Sequence, residues 1–382
     1  MERAELMAVV RATGCAEERG DFVFLRDPAA PESQISNFKS QISALKFQIS
    51  NLKSQISAAG WLCIATGGTG GGVKFARHDE RTLTAAVRGF CAHFQIECVN
   101  AIDVLPAFHV SGLMARVRCA ITGGQHVPWD WKELQAGRRP VLPRGGCVLS
   151  LVPTQLQRLL RSRAAVAWLR GFQVIFVGGG PVWPSLAEAA AKAELRVSLS
   201  YGMTETAAMV AALRPEEFLA GERSCGAALP HARVAVDASG LVRVTGESVF
   251  RGYFPEWREE REFITEDLGV MDARGSLTVL GRRDAVIISG GKKVQPADVE
   301  AALRASGEFA EVMVLGVPDG EWGEQVVACY PADAEHDPDV GRAVVALASH
   351  QRPKCFIAVE DWPRNAQGKV NRAALRAMVL QK

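Results

Sequence analysis

The sequence lacks the features of a membrane-spanning, secreted or strongly charged protein. Its 382 residues contain no apolar run that approaches the ~18 residues needed to cross a bilayer, and the start, MERAELMAVVRATG, has no signal-peptide core. The formal net charge of +2 gives no bulk electrostatic attraction to nucleic acid or to an anionic membrane. We therefore expect neither nucleic acid nor a membrane span to be involved.

Paired cysteines and clustered histidines are also missing. The nine cysteines stand singly, with no C-x-x-C pair, and the seven histidines are scattered. This pattern is typical of small buried thiols and not of disulfides or zinc ligands. A reducing, cytoplasmic location fits it best. A length of 382 residues with 48% hydrophobic content predicts two or three domains, each with its own core.

What is present is organised around residues 173–206, QVIFVGGGPVWPSLAEAAAKAELRVSLSYGMTET. The apolar run Val174–Val177 predicts a buried strand, and Pro184 begins a helix that extends to about Leu195. Residues 196–200 predict a second strand that stops before Tyr201. Because this order is β-α-β, the two strands should be parallel.

Both loops of this unit follow the carboxyl ends of their strands, which is the edge where open α/β sheets bind ligands. They offer backbone amides, an aromatic ring, two hydroxyls and one carboxylate. The residues concerned are Gly179, Gly180, Pro181, Tyr201, Gly202, Thr204, Glu205 and Thr206. The unit alone supports a nucleotide site and an ordinary crossover about equally.

A glycine-rich segment, TGGTGGGVK, follows the predicted strand at residues 61–65. Such a loop can bind phosphate with backbone amides, hydroxyls and one cation. It is not the P-loop motif, because Val73 separates the last glycine from Lys74. A flexible hairpin is the alternative interpretation.

Residues 33–57 repeat with a period of seven, as SQISNFK, SQISALK and FQISNLK. The Ile and Leu/Phe positions form the apolar a/d pattern of a coiled coil. We consider a short dimerising coil, but a tandem duplication inserted in a tolerant surface loop fits the near-identical repeats better.

The second half of the chain predicts two further units. Residues 232–281 alternate short strands with glycine turns, which is typical of a small antiparallel β subdomain, and Asp267 lies where a strand would turn. Residues 284–382 predict an α+β unit of about a hundred residues. Two single residues, His109 after a strand and Lys369 in a polar loop, are more often structural or solvated than catalytic when considered alone.

Five motifs occur in order along the chain: TGGTGGGVK (66–74), VGGGPV (177–182), YGMTET (201–206), TEDLG with GRRDAVIISGGKKVQPADVE (265–300) and QGKVNR (367–372). Together they resemble the adenylate-forming superfamily of acyl-CoA synthetases, luciferases and carrier-protein loading domains, over about residues 64–372. Within it, LPAFHVSGLM, SLVPTQLQRLL and VGGGPVWPSL are similar to the branch that ligates 2-succinylbenzoate to coenzyme A in menaquinone and phylloquinone synthesis.

The resemblance implies an α/β fold with a large multi-subdomain adenylate-forming domain over residues 1–281. This domain would contain mainly parallel sheets and a small β subdomain, and its N-terminal part is expected to be abbreviated. A mobile C-terminal α+β lid domain would follow over residues 282–382. The lid would swing about the segment near Arg283 and Asp284.

The resemblance further implies an enzyme that uses ATP, Mg²⁺ and coenzyme A to activate a small carboxylic acid. Lys369 would bridge the attacking carboxylate and the α-phosphate. Glu205 would bind Mg²⁺, with Thr204 on phosphate. His109 would lie beside the acyl group at the mouth of the thiol channel.

Binding roles follow from the same resemblance. The glycine-rich loop would hold the β- and γ-phosphates with Thr66, Gly67, Gly68, Thr69, Gly70 and Lys74. Tyr201 and Gly202 would contact adenine on one face, and Gly179–Pro181 would line the other. Asp267 and Arg282 would bind the ribose hydroxyls, and the region of Ser289, Gly290 and Gly291 would enter the site for the second step.

Two alternatives stay open. Within the same enzyme class, the chain is a ligase or carrier-protein loader for another aryl or short acyl acid. In a different class, it is a non-catalytic nucleotide-binding relic. Retention of Glu205, Asp267, Arg282 and Lys369 argues against a relic. The loop ends in Val73-Lys74-Phe75 instead of the superfamily's usual Pro-Lys-Gly, which leaves the phosphate contacts open.

Overall fold

The computed structural model describes residues 1–28, 60–67, 73–332, 337–364 and 370–381. The heptad segment 33–57 lies outside these ranges, and so do Gly68, Thr69, Gly70 and Lys369. Within the described ranges, no helix combines the length and the apolar character that a bilayer crossing requires.

Eleven α-helices are described in these ranges, and most are short. Their bounds are α1 Arg3–Arg11, α2 Glu80–Phe94, α3 Val110–Thr122, α4 Trp131–Gln135, α5 Pro153–Leu160, α6 Arg163–Leu169, α7 Pro184–Lys192, α8 Pro215–Leu219, α9 Pro296–Ala305, α10 Val340–Ala343 and α11 Arg372–Leu380.

The first eleven described strands build two sheets. Their bounds are β1 Ala16–Arg19, β2 Phe22–Leu25, β3 Leu62–Gly67, β4 Val73–His78, β5 Ala101–Asp103, β6 His126–Pro128, β7 Val148–Leu151, β8 Val174–Val177, β9 Val197–Met203, β10 Ala208–Ala212 and β11 Ala227–Ala228.

A seven-stranded sheet in the order β11-β10-β9-β8-β7-β5-β6 forms the centre of the large domain. Strands β5 to β9 pair in parallel, while β10 and β11 are antiparallel. All four residues of β8 are buried, because helices cover both faces of the sheet. Successive side chains of β8 face opposite sides of the sheet, so Ile175 and Phe176 belong to different apolar clusters. The predicted parallel pairing of β8 and β9 is confirmed.

A smaller sheet, β1-β2-β3-β4, carries the glycine-rich segment at one end. Strand β2 forms a hairpin with β1, whose four residues Ala16–Arg19 are largely polar and only partly buried. Thr66 pairs with Lys74 across β3 and β4, so these two residues belong to strands and not to the loop between them. Mainly parallel pairing is thus confined to the seven-stranded sheet.

The predicted antiparallel subdomain is confirmed as a sheet of four strands, β12 Ala232–Val236, β13 Leu241–Gly246, β14 Glu262–Met271 and β15 Leu277–Arg282. The placement of Asp267 at a turn was wrong. It lies within β14, opposite Arg282 of β15, because a register irregularity after Leu268 lets the strand continue past a sequence that favours a break.

The C-terminal part forms its own sheet from β16 Ile287–Ser289, β17 Lys292–Val294, β18 Met313–Asp319, β19 Gly323–Pro331 and β20 Cys355–Val359. Helix α9 packs on it through Val299 and Leu303. Helix α10 is only one turn long, and β17 was not predicted. The mobility of this unit and the boundary at residue 282 stay predictions.

Candidate functional site

The candidate site is built around the end of β9 and the turn that follows it. Strand β9 runs through Tyr201 to Met203, three residues beyond the predicted end, and then enters a single 3-10 turn at Thr204–Thr206. The Thr206 hydroxyl lies 3.1 Å from the Met203 carbonyl oxygen and 2.7 Å from that of Ala208. Ala207 adopts φ 52°, which reverses the chain into β10.

This turn presents Glu205 to the glycine-rich segment. The Glu205 carboxylate is 7% exposed and accepts two described hydrogen bonds at Oε1, from the Tyr253 hydroxyl at 2.7 Å and the Thr66 hydroxyl at 3.2 Å. The Lys74 ammonium lies 5.1 Å from the centroid of the Tyr253 ring. One carboxylate, one cation and one threonine hydroxyl therefore lie around the Tyr253 side chain and the end of β9.

The backbone of the turn accepts hydrogen bonds from His78, the last residue of β4, and from Phe250, which lies between β13 and β14. His78 Nε2 donates to the Thr204 carbonyl oxygen at 2.7 Å, and the Phe250 amide donates to that of Glu205 at 2.8 Å. Burial lowers the pKa of His78 to about 4, so the ring is neutral at physiological pH and carries its proton on Nε2. His78 thus supports Glu205 without adding charge.

Next to His78, Asp79 anchors the start of α2. Its carboxylate caps the helix by accepting from the Thr82 amide at 2.9 Å and forms a buried ion pair with Arg251 Nε at 3.1 Å. Burial alone would raise the pKa of Asp79, but the Thr82 hydrogen bond and the Arg251 charge outweigh it and hold the pKa below its ordinary value. The stability from this shift is therefore present at neutral pH and is lost as the pH falls through the acid range.

We expect Asp79→Asn to destabilise the large domain by ~3–5 kcal/mol, because it leaves a buried guanidinium without its counter-charge. Denaturant unfolding followed by tryptophan fluorescence measures this. Glu18→Gln, which removes the exposed partner of Arg11, is the control and should leave the midpoint nearly unchanged. Equal midpoints for the two variants at pH 7 would contradict the importance of the buried pair.

A second group of polar residues lies further back along β9. The Tyr201 hydroxyl donates to Asp267 Oδ2 at 2.7 Å, and Arg282 Nη1 lies 3.5 Å from Asp267 Oδ1. Arg282 also forms a two-point ion pair with Asp284 at 2.8 and 2.6 Å. Burial and the Asp267 charge raise the pKa of the Tyr201 phenol, which keeps it protonated as a donor. The three residues expected at adenine and ribose are thus in contact.

The loop after β8 borders this group. A side chain at Gly178 would approach the Ser200 hydroxyl to 2.9 Å, so the loop passes directly beside β9. Gly179 has φ +74°, and the space around Gly180 is open. Gly179, Gly180 and Pro181 therefore lie at the same sheet edge as Tyr201.

Other predicted site residues lie on other elements. His109 is the residue before α3, with its ring 4.5 Å from that of Phe108. The hairpin with Ser289, Gly290 and Gly291 contacts its own unit, where the Gly290 amide donates to the Trp322 carbonyl. Their roles, and that of Lys369, stay predictions.

Two supporting residues were missed in the sequence. Tyr253 follows Gly252 in a segment, RGYFPEW, that carries no recognised motif, and His78 stands in an ordinary strand-to-helix junction. One clue was available for Tyr253, because the chain has only three tyrosines and one of them already lay in a predicted site.

Comparisons with known proteins agree with this geometry. Residues 26–254 match the model of the AMP-binding enzyme family, and residues 298–369 match that of the AMP-binding enzyme C-terminal domain. The 2-succinylbenzoate–CoA ligases of Listeria monocytogenes and Bacillus licheniformis are 32% and 34% identical over 283 and 291 residues. Each alignment covers 71% of this chain and 60% of the relative, so the chain spans about 60% of the length of these relatives.

Solved structures show the same similarity. The o-succinylbenzoate CoA synthetase (MenE) of Bacillus subtilis in complex with the acyl-adenylate OSB-AMP is 27% identical with a TM-score of 0.69, covering 83% of this chain and 69% of that one. An ATP-bound RpMatB-BxBclM chimera is also 27% identical, with a TM-score of 0.71 and coverages of 87% and 72%. The matched models span most of the described chain and contain the site built from Thr66, Glu205 and Tyr201. The chain therefore belongs to the AMP-binding enzyme family.

Proposed function

We propose that this chain is an ATP-dependent acid–thiol ligase that adenylates 2-succinylbenzoate and transfers the acyl group to coenzyme A. The observation that carries the proposal is the meeting of Glu205, Thr66 and Lys74 at the end of β9, beside Tyr201, Asp267 and Arg282. The first group suits the phosphates of a nucleotide with a cation, and the second suits its base and ribose.

The residues present fit Mg²⁺ held together with a nucleotide. No cluster of three or more His, Cys, Asp or Glu side chains suited to a metal occurs in the described part of the chain. Glu205 accepts its described hydrogen bonds at Oε1, which leaves Oε2 as the donor atom for a cation. One carboxylate oxygen with phosphate oxygens of the substrate is a common donor set for Mg²⁺. When bound, Mg²⁺ would neutralise developing charge on the phosphates.

In the first half-reaction, a carboxylate oxygen of the acid attacks the α-phosphorus and the bond to pyrophosphate breaks. Two anions must meet, so the residues of the site act by positioning and by charge. Lys74 would attract the leaving pyrophosphate, and Thr66 would donate to its oxygens. Lys369 would bridge the attacking carboxylate and the α-phosphate.

In the second half-reaction, the sulfur of coenzyme A attacks the acyl carbon, the bond to AMP breaks and the thiol proton is released. We propose that the C-terminal unit turns between the steps and brings the region of Ser289, Gly290 and Gly291 to the site. His109 would then border the acyl group. The segment at Arg283 and Asp284, between β15 and β16, is the proposed hinge.

Contacts between the C-terminal unit and the large domain support the orientation of this unit that we propose for the first half-reaction. Arg158 of α5 lies 3.7 Å from Glu311, and the Arg304 guanidinium lies 5.0 Å from the centroid of the Trp183 ring. Glu311 also pairs with Arg364, which forms an isolated bridge with Val370, the residue that follows Lys369 in the sequence. Arg364 and Val370 are therefore linked through Glu311 to α5, the helix that follows β7 at the ligand-binding edge of the sheet.

The choice of acid rests on the relatives. The curated relatives are 2-succinylbenzoate–CoA ligases, whereas the ATP-bound chimera is as identical to this chain, at 27%, as the Bacillus subtilis MenE structure is. An aryl or short acyl acid other than 2-succinylbenzoate is thus the second candidate within the same reaction class. The protein would act in the cytoplasm, where ATP and coenzyme A are available to it.

We expect 2-succinylbenzoate to give the highest kcat/KM in a pyrophosphate-release assay across a panel with benzoate, cinnamate, malonate and a fatty acid. The physical reason is differential binding, since a site shaped for two carboxylates and a ring rejects acids that leave its polar groups unpaired. The same panel without coenzyme A is the control. A clearly higher kcat/KM for another acid would overturn the substrate and leave the reaction class.

A further inference from the structure

The Tyr253 phenol occupies a position between the two charged residues of the first group. Its hydroxyl donates to Glu205 Oε1 at 2.7 Å, while its ring lies under the Lys74 ammonium at 5.1 Å from the centroid. The two contacts use different parts of one side chain. Tyr253 therefore connects the carboxylate and the cation without bringing them into a direct ion pair.

Tyr253 is itself held in place. Its ring packs edge-on against Phe250 at a centroid distance of 4.8 Å, and the Phe250 amide donates to the backbone carbonyl of Glu205 at 2.8 Å. Residues 250–253 thus hold both the backbone and the side chain of Glu205.

This hydroxyl determines which oxygen of Glu205 is available to a ligand. With the Thr66 hydroxyl, it accounts for both described hydrogen bonds to the carboxylate, and both are made to Oε1. Glu205 is buried, with 7% of its surface exposed, so few water molecules compete for these hydrogen bonds. A fixed carboxylate loses less freedom when it takes up a cation.

We propose that Tyr253 is a positioning residue that holds Glu205 in the orientation for binding Mg²⁺ with ATP. This inference rests on the proposed nucleotide site and adds a residue to it. Tyr253 acts through Glu205 and does not itself contact the metal.

The test is Tyr253→Phe, which removes the hydroxyl and keeps the ring beneath Lys74. Calorimetric titration measures ATP affinity with Mg²⁺ and again with EDTA. We expect the gain in affinity from Mg²⁺ to fall roughly tenfold, as is typical when a residue that orients a metal ligand is lost. ATP affinity in EDTA should stay within about twofold, because the ring face that attracts Lys74 is unchanged.

Tyr330→Phe is the matched control, since Tyr330 lies in the C-terminal unit and packs against Phe309. It should leave both affinities unchanged, and thermal unfolding of the two variants reports whether they fold alike. An unchanged Mg²⁺ gain in folded Tyr253→Phe would overturn the inference. Equal losses with and without Mg²⁺ would overturn it too and assign Tyr253 to general support of the site. Absence of any Mg²⁺ gain in the unaltered protein would instead overturn the proposed nucleotide site.

Discussion

Replacement of Lys369 by alanine should abolish most acyl-adenylate formation and spare thioester formation. Removing one positioned charge donor from a water-poor site typically costs ~3–4 kcal/mol, or roughly 10²–10³ in rate. That charge is needed when the carboxylate meets the α-phosphate and not once the adenylate exists. Single-turnover pyrophosphate release measures the first step, and supplied acyl-adenylate with coenzyme A measures the second.

The matched control is Lys192→Ala, which removes an exposed lysine from the last turn of α7. Both steps should proceed at normal rates in this variant. A uniform loss of both steps in Lys369→Ala would show that the lysine supports the fold or a shared binding mode. Normal rates in both steps would show that the QGKVNR motif does not carry the role implied by the resemblance.

Substitution of Glu205 by glutamine should remove the dependence of adenylation on Mg²⁺. The amide keeps the volume and an acceptor for Tyr253, but it lacks the charge that a hard divalent cation requires. We expect a loss of ~3 kcal/mol of transition-state stabilisation, on the order of 10²-fold in rate. Adenylate formation measured against Mg²⁺ concentration tests this.

Glu188→Gln, on the exposed face of α7, is the control and should keep the normal Mg²⁺ curve. A Glu205→Gln variant with the same Mg²⁺ midpoint and the same maximal rate would show that the cation binds elsewhere. Loss of folding is a separate outcome that circular dichroism identifies, and Glu205→Asp, which keeps the charge, then serves as the second variant.

The sequence predicted the central βαβ unit because its determinants are local. Apolar β-branched residues, the glycines after β8 and the proline that begins α7 act within a few residues of each other, and the parallel pairing follows from the crossover. The extension of β9 to Met203 was missed, since β10 pairs with it after the turn and stabilises residues that look like a loop.

The contacts that complete the site could not be predicted from local sequence patterns. Tyr253 lies 48 residues from Glu205 and Thr66 lies 139 residues from it, so no periodicity connects them. Asp267 was expected at a turn from its local sequence. It lies within β14 instead, where the pairing and its register irregularity depend on the neighbouring strands. The resemblance predicted the roles of Glu205, Thr66 and Asp267. The contacts of Tyr253 and His78 became evident only in the tertiary structure.

We propose that this chain, at about 60% of the length of its curated relatives, activates an acid with ATP. Exchange of labelled pyrophosphate into ATP, in the presence of Mg²⁺ and without coenzyme A, measures this activation. We predict exchange that requires 2-succinylbenzoate and disappears in Lys369→Ala. Binding of ATP with no acid-dependent exchange, for any acid of the panel, would contradict the claim and identify a nucleotide-binding protein that does not catalyse adenylation.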